Sequence, residues 1–236
     1  MLPRWKAVFV DLDNTLHDYN HAAQCAIAWL AKVIATKTGI EEREVVSRYE
    51  YLRDSPSLNT PPINSGYELR LRRIRSLLDS WPLSTKLDEV ILAEDFERNL
   101  LASLRLAPNA KENLKKISDV CPVIIVTDGW EDIQTRIIKE LGFDQQEWGI
   151  CITRSHGVSK HDGSVYKMLL DKLNVSSNDI LMIGDNWDWD ILAAAKFGIE
   201  TIWISKGKQL LREPPPGFLG KVDHIGNIFT LLENSE

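Results

Sequence analysis

The sequence predicts an α/β protein with a doubly wound parallel sheet and an inserted all-helical cap domain. Short apolar runs that end in polar residues are typical of strands buried in a parallel sheet. Helical patterns of about 10 to 13 residues separate the later runs, as expected for alternating strands and helices. The first run is followed by about ninety residues without a strand pattern, which indicates a helical insertion of about 85 residues.

The elements of the sheet domain follow in a regular order. The predicted strands are Lys6–Asp11, Pro122–Thr127, a weaker Trp148–Thr153, Ile180–Gly184 and Glu200–Ile204. The predicted helices between them are Asn109–Ser118, Trp130–Leu141, Ser164–Leu173 and Trp189–Phe197. Gly142 and Gly198 are expected at helix C-caps, and a terminal strand–helix pair is predicted over Val222–Leu232.

The insertion is predicted to contain helices alone. Their predicted ranges are Asn20–Thr38, Glu41–Asp54, Gly66–Ser80 and Leu87–Leu104, with a loop over Ser55–Ser65 that holds three prolines. We therefore assign residues 1–16 and 105–236 to the catalytic core and residues 17–104 to the cap. Because ligands bind beyond the carboxyl ends of the strands in such sheets, an insertion after the first strand is expected to act as a lid.

The composition excludes several classes of protein. The 236 residues carry a net charge of −6, which disfavours general binding to nucleic acid or to an anionic membrane. No apolar run approaches the roughly 18 residues needed to span a bilayer, and residues 1–10 do not resemble a signal peptide. Cys25, Cys121 and Cys151 are few and widely spaced, so we expect neither a zinc site nor a disulfide framework but a cytoplasmic protein.

Polar residues of one kind follow the predicted strands. Since the carboxyl ends of parallel strands meet at one edge of the sheet, these side chains are expected to converge. The first strand ends in Asp11 and Asp13. The other candidates are Thr127, Asp128 and Gly129 after the second strand, Lys160 after the third, and Asp185, Asp188 and Asp190 after the fourth. Such an acidic cluster is suited to Mg²⁺, which prefers oxygen ligands and substrate phosphate.

The residue types also predict how the reaction proceeds. Asp11 and Asp185 are expected to hold Mg²⁺, and Asp11 is expected to attack phosphorus and form an aspartyl-phosphate. Asp13 is expected to protonate the leaving oxygen and then to activate water. Thr127 and the backbone N–H groups that follow it are expected to bind phosphoryl oxygens, and Lys160 is expected to neutralise their charge.

The chain resembles the haloacid dehalogenase-like hydrolases that carry a helical cap of the C1 type. The motifs that carry this resemblance are DLDNT at 11–15, TDG at 127–129, Lys160 in SKHDGSVYKMLL, and GDNWDWD at 184–190. The resemblance implies that Asp11 is the nucleophile and a metal ligand, and that Asp13 is the acid/base and binds Mg²⁺ through its backbone carbonyl. It implies that Asp185 completes the protein ligands. Asp190 would orient Lys160 or hold metal-bound water, and Asp188 competes for that role.

Two positions depart from the family pattern. Asp128 stands where Asn often follows the threonine, so its side chain is expected to turn away while its backbone amide binds phosphate. His161 stands where a proline usually follows Lys160. The carboxylate of Asp13, which the dehalogenases of this fold lack, favours phosphoryl transfer over cleavage of a carbon–halogen bond.

Further positions have two interpretations each. His17 is either a hinge or surface histidine or a substrate contact, and Asp188 is a candidate helix N-cap. Trp130 and Asn186 are candidate substrate contacts, and the tryptophans near the motifs can instead be packing residues. The arginines of the third cap helix form either a solvated face or a contact to an anionic substrate group; they are Arg70, Arg72, Arg73 and Arg75.

The sequence thus predicts a Mg²⁺-dependent phosphatase for a small phosphorylated metabolite, without nucleic acid or membrane partners. The oligomeric state is left open between monomer and dimer. Three alternatives remain at this stage: a phosphomutase that acts on a sugar phosphate, a catalytically idle binding protein, and a protein phosphatase. The density of the predicted cap favours small substrates over proteins.

Overall fold

Among the described residues, six strands form one parallel sheet. The computed structural model describes residues 4–55, 63–82, 87–143 and 147–233. The strands are β1 (Ala7–Asp11), β2 (Val123–Thr127), β3 (Gly149–Ile152), β4 (Ile180–Gly184), β5 (Glu200–Ile204) and β6 (Phe218–Val222). They lie in the order β3-β2-β1-β4-β5-β6, and all neighbouring pairs are parallel. The predicted fold class is confirmed.

The central position of β1 and the strand register place the polar strand ends at one edge. Asp11 is paired with Val126 on β2, and Val10 is paired with Ile183 on β4. Each of these strands therefore ends within about one residue of the same level, and the loops that follow them begin side by side. This is the edge at which parallel α/β sheets bind their ligands.

Helices account for most of the remaining described residues. They are α1 (Tyr19–Thr38), α2 (Glu42–Arg53), α3 (Gly66–Leu78), α4 (Glu89–Ala102), α5 (Ala110–Ser118), α6 (Glu131–Glu140), α7 (Ser164–Leu173), α8 (Ala193–Ala195) and α9 (Ile228–Glu233). Each predicted helix lies within two residues of an observed one except the one over Trp189–Phe197. Gly142 and Gly198 have φ of 67° and 80°, the left-handed conformation that a helix C-cap requires.

The chain forms two compact units. The sheet unit consists of Met1–Asp18, Arg105–Gly129 and Leu141–Glu236, and the helical unit consists of Tyr19–Leu104 and Trp130–Glu140. In the sheet unit, α7 and α8 pack on apolar side chains of the sheet, among which Phe9, Val126 and Met182 are buried. α5 packs against β2, and α9 packs against β6.

The helical unit is built from α1 to α4 together with α6. α1 packs against α2 and α4, α3 packs against α2 and α4, and α6 packs against α3 and α4. The Asp132 carboxylate of α6 accepts hydrogen bonds from the backbone N–H groups of Gly66 and Tyr67 at the start of α3. These contacts join α6 to helices that end at Ala102 or earlier in the chain, so α6 groups with them rather than with the sheet. The role of the helical unit as a cap stays a prediction.

The structure differs from the sequence predictions in two elements. The terminal strand is Phe218–Val222 rather than a strand that begins at Val222, because this edge strand contains glycine and lysine and lacks an apolar run. The segment Trp187–Leu192 is a π-helical turn that precedes α8, where a helix over Trp189–Phe197 was predicted. Residues 56–62 of the predicted proline loop lie outside the described residues.

None of the helices in the described part of the chain combines the length and the apolar character required to cross a bilayer. All three cysteines are free, as predicted.

Candidate active site

Asp11 ends β1, and the chain turns sharply after it. Asn14 adopts φ of 65°, and the N–H groups of Thr15 and Leu16 donate to the carbonyl of Leu12. Asparagine tolerates this left-handed conformation better than most residues, so Asn14 suits its position in the turn. Asp11 is buried, whereas Asp13, two residues later, is half-buried.

His17 closes this turn from inside the fold. Its side chain is fully buried, and its Nε2 lies 2.8 Å from Asp13 Oδ1. The interpretation of His17 as a surface histidine is therefore wrong. The i,i+4 spacing of Asp13 and His17 is the signal in the sequence that could have suggested this hydrogen bond. As a direct substrate contact His17 stays a prediction, and its Nε2 is already engaged by Asp13.

Lys160 lies between two buried carboxylates. Its Nζ donates to Oδ1 of Asp11 and lies 2.8 Å from Oδ1 of Asp190, and all three side chains are buried. Burial by itself would lower the pKa of Lys160, but Asp11 and Asp190 raise it well above its usual value. The ammonium is therefore charged over the physiological pH range. Burial raises the pKa of both Asp11 and Asp190, although Lys160 opposes the shift in each case.

Asp185 completes an acidic group at the strand ends. Carboxylate oxygens of Asp11, Asp185 and Asp190 all lie within 4.8 Å of one another. Burial and the neighbouring Asp11 raise the pKa of Asp185 to about 6. Oδ2 of Asp11 is buried and has no hydrogen-bond partner among the described residues.

The donor set fits a hard divalent cation. Oxygen atoms that converge within this distance suit Mg²⁺, and an orphaned buried carboxylate oxygen is the group that such an ion would satisfy. The sequence predicted Asp11 and Asp185 in this group, together with the backbone carbonyl of Asp13. It gave Asp190 a supporting role, and the structure brings the Asp190 carboxylate into the same cluster.

Asp190 is positioned by the turn that follows β4. The side chain of Asn186 accepts hydrogen bonds from the N–H groups of Asp188 and Trp189, and the N–H of Asn186 donates to Oδ2 of Asp190 at 2.9 Å. Asn186, not Asp188, is therefore the N-cap of the π-helical turn. A Cβ atom at Gly184 would lie 2.3 Å from Oδ2 of Asp190, so only glycine leaves room for this carboxylate.

The other residues of the GDNWDWD motif have partners outside the acidic group of Asp11, Asp185 and Asp190. Asp188 is exposed and forms an ion pair with Arg212 at 2.5 Å, so it is not a supporting partner of Lys160. Trp187 packs edge-on against Trp203, and Trp189 is 41% exposed beside His161. The fully buried Tyr166, which sequence reasoning missed because it lies in an ordinary apolar helix pattern, donates to the Trp189 carbonyl at 2.8 Å.

Asp128 holds the loop that carries Lys160. Its Oδ1 accepts from the hydroxyl of Thr153 at 2.7 Å, and both carboxylate oxygens accept from the N–H of Lys160 at 3.1 Å. No proline follows Lys160, and these hydrogen bonds to the Lys160 N–H fix the backbone of the loop instead. Thr127 is buried at the end of β2, and its Oγ1 accepts from the N–H of Gly129 at 3.4 Å.

Two groups of sequence candidates lie in the helical unit. Trp130 belongs to that unit, where it lines a cavity. The interpretation of the α3 arginines as a solvated face is wrong for Arg70, which is buried and paired with Glu97. Arg72 and Arg75 pair with Glu68 and Glu89 near the surface.

Comparison with known proteins gives one family. Residues 5–198 match the family model described as haloacid dehalogenase-like hydrolase. The glyceraldehyde 3-phosphate phosphatase of Pyrococcus abyssi is 27% identical over 86% of this chain and 82% of its own length. The N-acylneuraminate-9-phosphatase of Rattus norvegicus is 25% identical over 92% of this chain and 90% of its own length.

A solved structure has the same fold. The HAD-hydrolase YfnB of Bacillus subtilis, crystallised with bound magnesium, superposes with a TM-score of 0.72. The match covers 98% of this chain and 99% of that protein at 17% sequence identity. At this identity the likeness establishes the fold alone.

Proposed function

The chain belongs to the haloacid dehalogenase-like hydrolases, and from this premise we propose that it is a phosphatase, which hydrolyses a small phosphorylated metabolite through an aspartyl-phosphate on Asp11. One observation carries the proposal. The buried Asp11 carboxylate is bonded to Lys160 through one oxygen. Its other oxygen accepts no hydrogen bond from the described residues, and the carboxylates of Asp185 and Asp190 lie close to it. A buried carboxylate left half unsatisfied is costly unless a ligand completes it.

Mg²⁺ is the cofactor that this site would take. Asp11 and Asp185 would bind it through their carboxylates and Asp13 through its backbone carbonyl, while Asp190 would orient Lys160 or hold a metal-bound water. Three carboxylates against one ammonium give the cluster a net charge of −2 when all four groups are ionised. When bound, the ion offsets this charge and neutralises phosphoryl oxygens, which a carboxylate cluster alone would repel.

The first half of the reaction transfers the phosphoryl group to the protein. A carboxylate oxygen of Asp11 forms a bond to phosphorus, and the bond between phosphorus and the ester oxygen breaks. The ester oxygen leaves with the electron pair of that bond and takes a proton from the carboxyl group of Asp13. His17 holds the Asp13 carboxyl through its Nε2, which restricts the rotation of the proton donor.

The second half regenerates Asp11. A water molecule gives a proton to the Asp13 carboxylate as its oxygen attacks phosphorus, and the bond from phosphorus to the Asp11 oxygen breaks to release inorganic phosphate. Lys160 compensates the negative charge on Asp11 and on the transferring group. The Thr127 hydroxyl and the N–H groups of Asp128 and Gly129 would bind the phosphoryl oxygens.

The substrate class is inferred from chemistry and relatives. Asp13 supplies the proton that an alkoxide leaving group needs and a halide does not. The similar phosphatases are named for small sugar phosphates or related metabolites. We expect the helical unit to act as the cap that selects the substrate, and the free cysteines are consistent with the predicted cytoplasmic setting.

A phosphate-release assay tests the function. The purified protein with Mg²⁺ is expected to hydrolyse 4-nitrophenyl phosphate, and the substitution Asp11→Asn should reduce the rate to background. Asp188→Asn is the matched control, since Asp188 lies in the same motif but pairs with Arg212 at the surface. Full activity in Asp11→Asn, or activity unaffected by EDTA, would overturn the mechanism.

A further inference from the structure

The helical unit contains a cavity of about 310 Å³. All of its lining residues belong to this unit, from α1, α2, α3, α4 and α6 and from the adjoining residue Trp130. The volume lies near the lower end of the range for small-molecule sites, roughly 300 to 1,000 Å³. A ligand of one ring, or of a few carbon atoms with a charged group, would fit such a space.

The charge that faces the cavity has one sign. The described lining residues include Arg53, Arg70 and Arg73 and contain no Asp or Glu. Arg53 ends α2, and the other two lie one turn apart on α3. Helical residues three positions apart share a face, so the geometry of α3 brings Arg70 and Arg73 to the same wall.

The nearby carboxylates are engaged by other groups. Glu97 accepts from Arg70 and also from Arg136, so one carboxylate is shared between two guanidinium groups. Asp132 accepts from the N–H groups of Gly66 and Tyr67. Neither carboxylate belongs to the described lining, whose charged side chains are all arginines.

A third acid, Asp54, lies at the more exposed end. Asp54 binds the side chain of Arg53 at 2.9 Å, and both side chains are exposed to solvent. Solvent screens exposed pairs of this kind, so Asp54 does not hold Arg53 firmly away from an incoming anion.

The pKa of Arg73 responds to the groups around the cavity. Burial lowers this pKa; Tyr49 and Tyr19 oppose this shift, and the charges of Arg53 and Arg70 add to it. A guanidinium group remains protonated even after such a shift. Like charges around a partly buried cavity repel one another, and an anion between them would relieve that repulsion.

Aromatic side chains form the apolar part of the lining. Tyr49 and Phe96 are buried and stack with ring centroids 5.4 Å apart, and the Arg70 guanidinium lies 5.6 Å from the centroid of Phe96. Trp130 and Ile133 add apolar surface. A cavity with a cationic wall and aromatic walls is suited to an anionic group attached to an apolar or ring-shaped body.

We propose that this cavity binds a small organic anion, with its carboxylate or phosphate group on Arg73 and Arg53 and its apolar body against Tyr49, Phe96 and Trp130. Arg70, held by Glu97, contributes to the positive potential. Two sources of the anion share this chemistry: the non-reacting end of the substrate, in which case the inference rests on the proposed function, or a separate regulatory metabolite.

Binding of benzoate tests the cavity independently of catalysis. We expect benzoate to bind in Mg²⁺-free buffer at least about tenfold more tightly than benzamide, its uncharged analogue, because only benzoate offers a charged acceptor to the guanidinium groups. Arg73→Gln should lose this preference, Arg73→Lys should retain part of it, and Arg53→Gln should weaken it. Arg75→Gln is the control on the same helix, since Arg75 is exposed and does not line the cavity.

Two esters distinguish the sources of the anion. If the substrate carries the anion, the ratio of kcat/KM for 4-carboxyphenyl phosphate over 4-carbamoylphenyl phosphate should fall about tenfold in Arg73→Gln and stay unchanged in Arg75→Gln. If the anion is a regulator, that ratio stays constant, and free benzoate changes kcat without competing with the substrate. Either pattern supports the site.

Other results overturn the proposal. Equal binding of benzoate and benzamide, no binding of either, or the same benzoate affinity in Arg73→Gln and wild type would each contradict an anion site. Failure of the proposed function is distinguishable, because it appears as the absence of hydrolysis of either ester while the benzoate titration still reports on the cavity.

Discussion

At the scale of single residues, the site is defined by which carboxylate meets which partner. Lys160 bonds to Asp11 and Asp190, His17 bonds to Asp13, and Asp128 bonds to the backbone of Lys160. The sequence predicted the residue types at the strand ends, because parallel strands bring their carboxyl ends together. It could not choose between Asp188 and Asp190, since that choice depends on a π-helical turn, Trp187–Leu192, which Asn186 caps.

Removal of His17 should impair proton donation. We expect His17→Asn to lower kcat roughly tenfold, because the hydrogen bond that holds Asp13 contributes on the order of 1 kcal/mol. The loss should be larger for phenyl phosphate than for 4-nitrophenyl phosphate, whose leaving group needs less help from an acid. The comparison is made by steady-state kinetics, with the exposed His156→Asn as control. Equal losses on both esters would contradict the link to Asp13.

Asp128 should act through the position of Lys160. We expect Asp128→Ala to lower kcat about tenfold and to lower the free energy of unfolding by about 1 to 2 kcal/mol, because it leaves the N–H of Lys160 and the Thr153 hydroxyl without their acceptor. Asp128→Asn keeps one carbonyl acceptor, so it should retain most of the wild-type kcat and most of the free energy of unfolding. Kinetics and urea unfolding of the two variants check this, and an Asn variant as impaired as the Ala variant would refute it.

At the scale of secondary-structure elements, most strands and helices of the sheet unit were predictable, whereas the edge strand β6 and the π-helical turn after β4 were not. The buried strands are continuous apolar runs, whereas β6 includes glycine and lysine at the edge of the sheet. In the helical unit, the ranges of the helices followed from periodicity. The directions of the α3 arginines did not, because they depend on how α3 packs against α2, α4 and α6.

Glu97 should hold three helices together. It lies on α4 and pairs with Arg70 of α3 and Arg136 of α6, so Glu97→Gln leaves Arg70 buried without its counter-charge. We expect this change to lower the free energy of unfolding by about 3 kcal/mol, the scale of breaking a buried ion pair. Glu94→Gln, at an exposed position of the same helix, should change it by less than about 0.5 kcal/mol in denaturant titrations. Similar losses in both variants would contradict this role.

At the scale of the whole molecule, stability is coupled to the acidic cluster. The pKa of Asp185 is raised to about 6 in the folded protein, above the value of 3.8 for an isolated aspartate. A raised carboxyl pKa means that the folded protein binds the proton more tightly than the unfolded chain does. Without metal, the contribution of Asp185 to stability is therefore largest below pH 3.8 and is lost as the pH rises through about 6.

Mg²⁺ should reverse this loss of stability at higher pH, because it binds the deprotonated carboxylates of the cluster. We expect the increase in Tm on addition of Mg²⁺ to be larger at pH 7.5 than at pH 5, since protons compete with the ion below the pKa of Asp185 at about 6. Thermal unfolding at both pH values measures the effect, and Asp185→Asn should abolish most of it. An equal increase at both pH values would argue against a metal site that includes Asp185.

The central claim is that Asp11 carries the phosphoryl group, and chemical trapping tests it most directly. The protein is mixed with Mg²⁺ and 4-nitrophenyl phosphate and quenched with borohydride, which reduces an aspartyl-phosphate to homoserine, and the peptides are then identified by mass spectrometry. We predict homoserine at position 11, only when substrate is present and never in Asp11→Asn. Phosphate release that continues with Asp11 unmodified, or with homoserine at a different aspartate, would contradict the account.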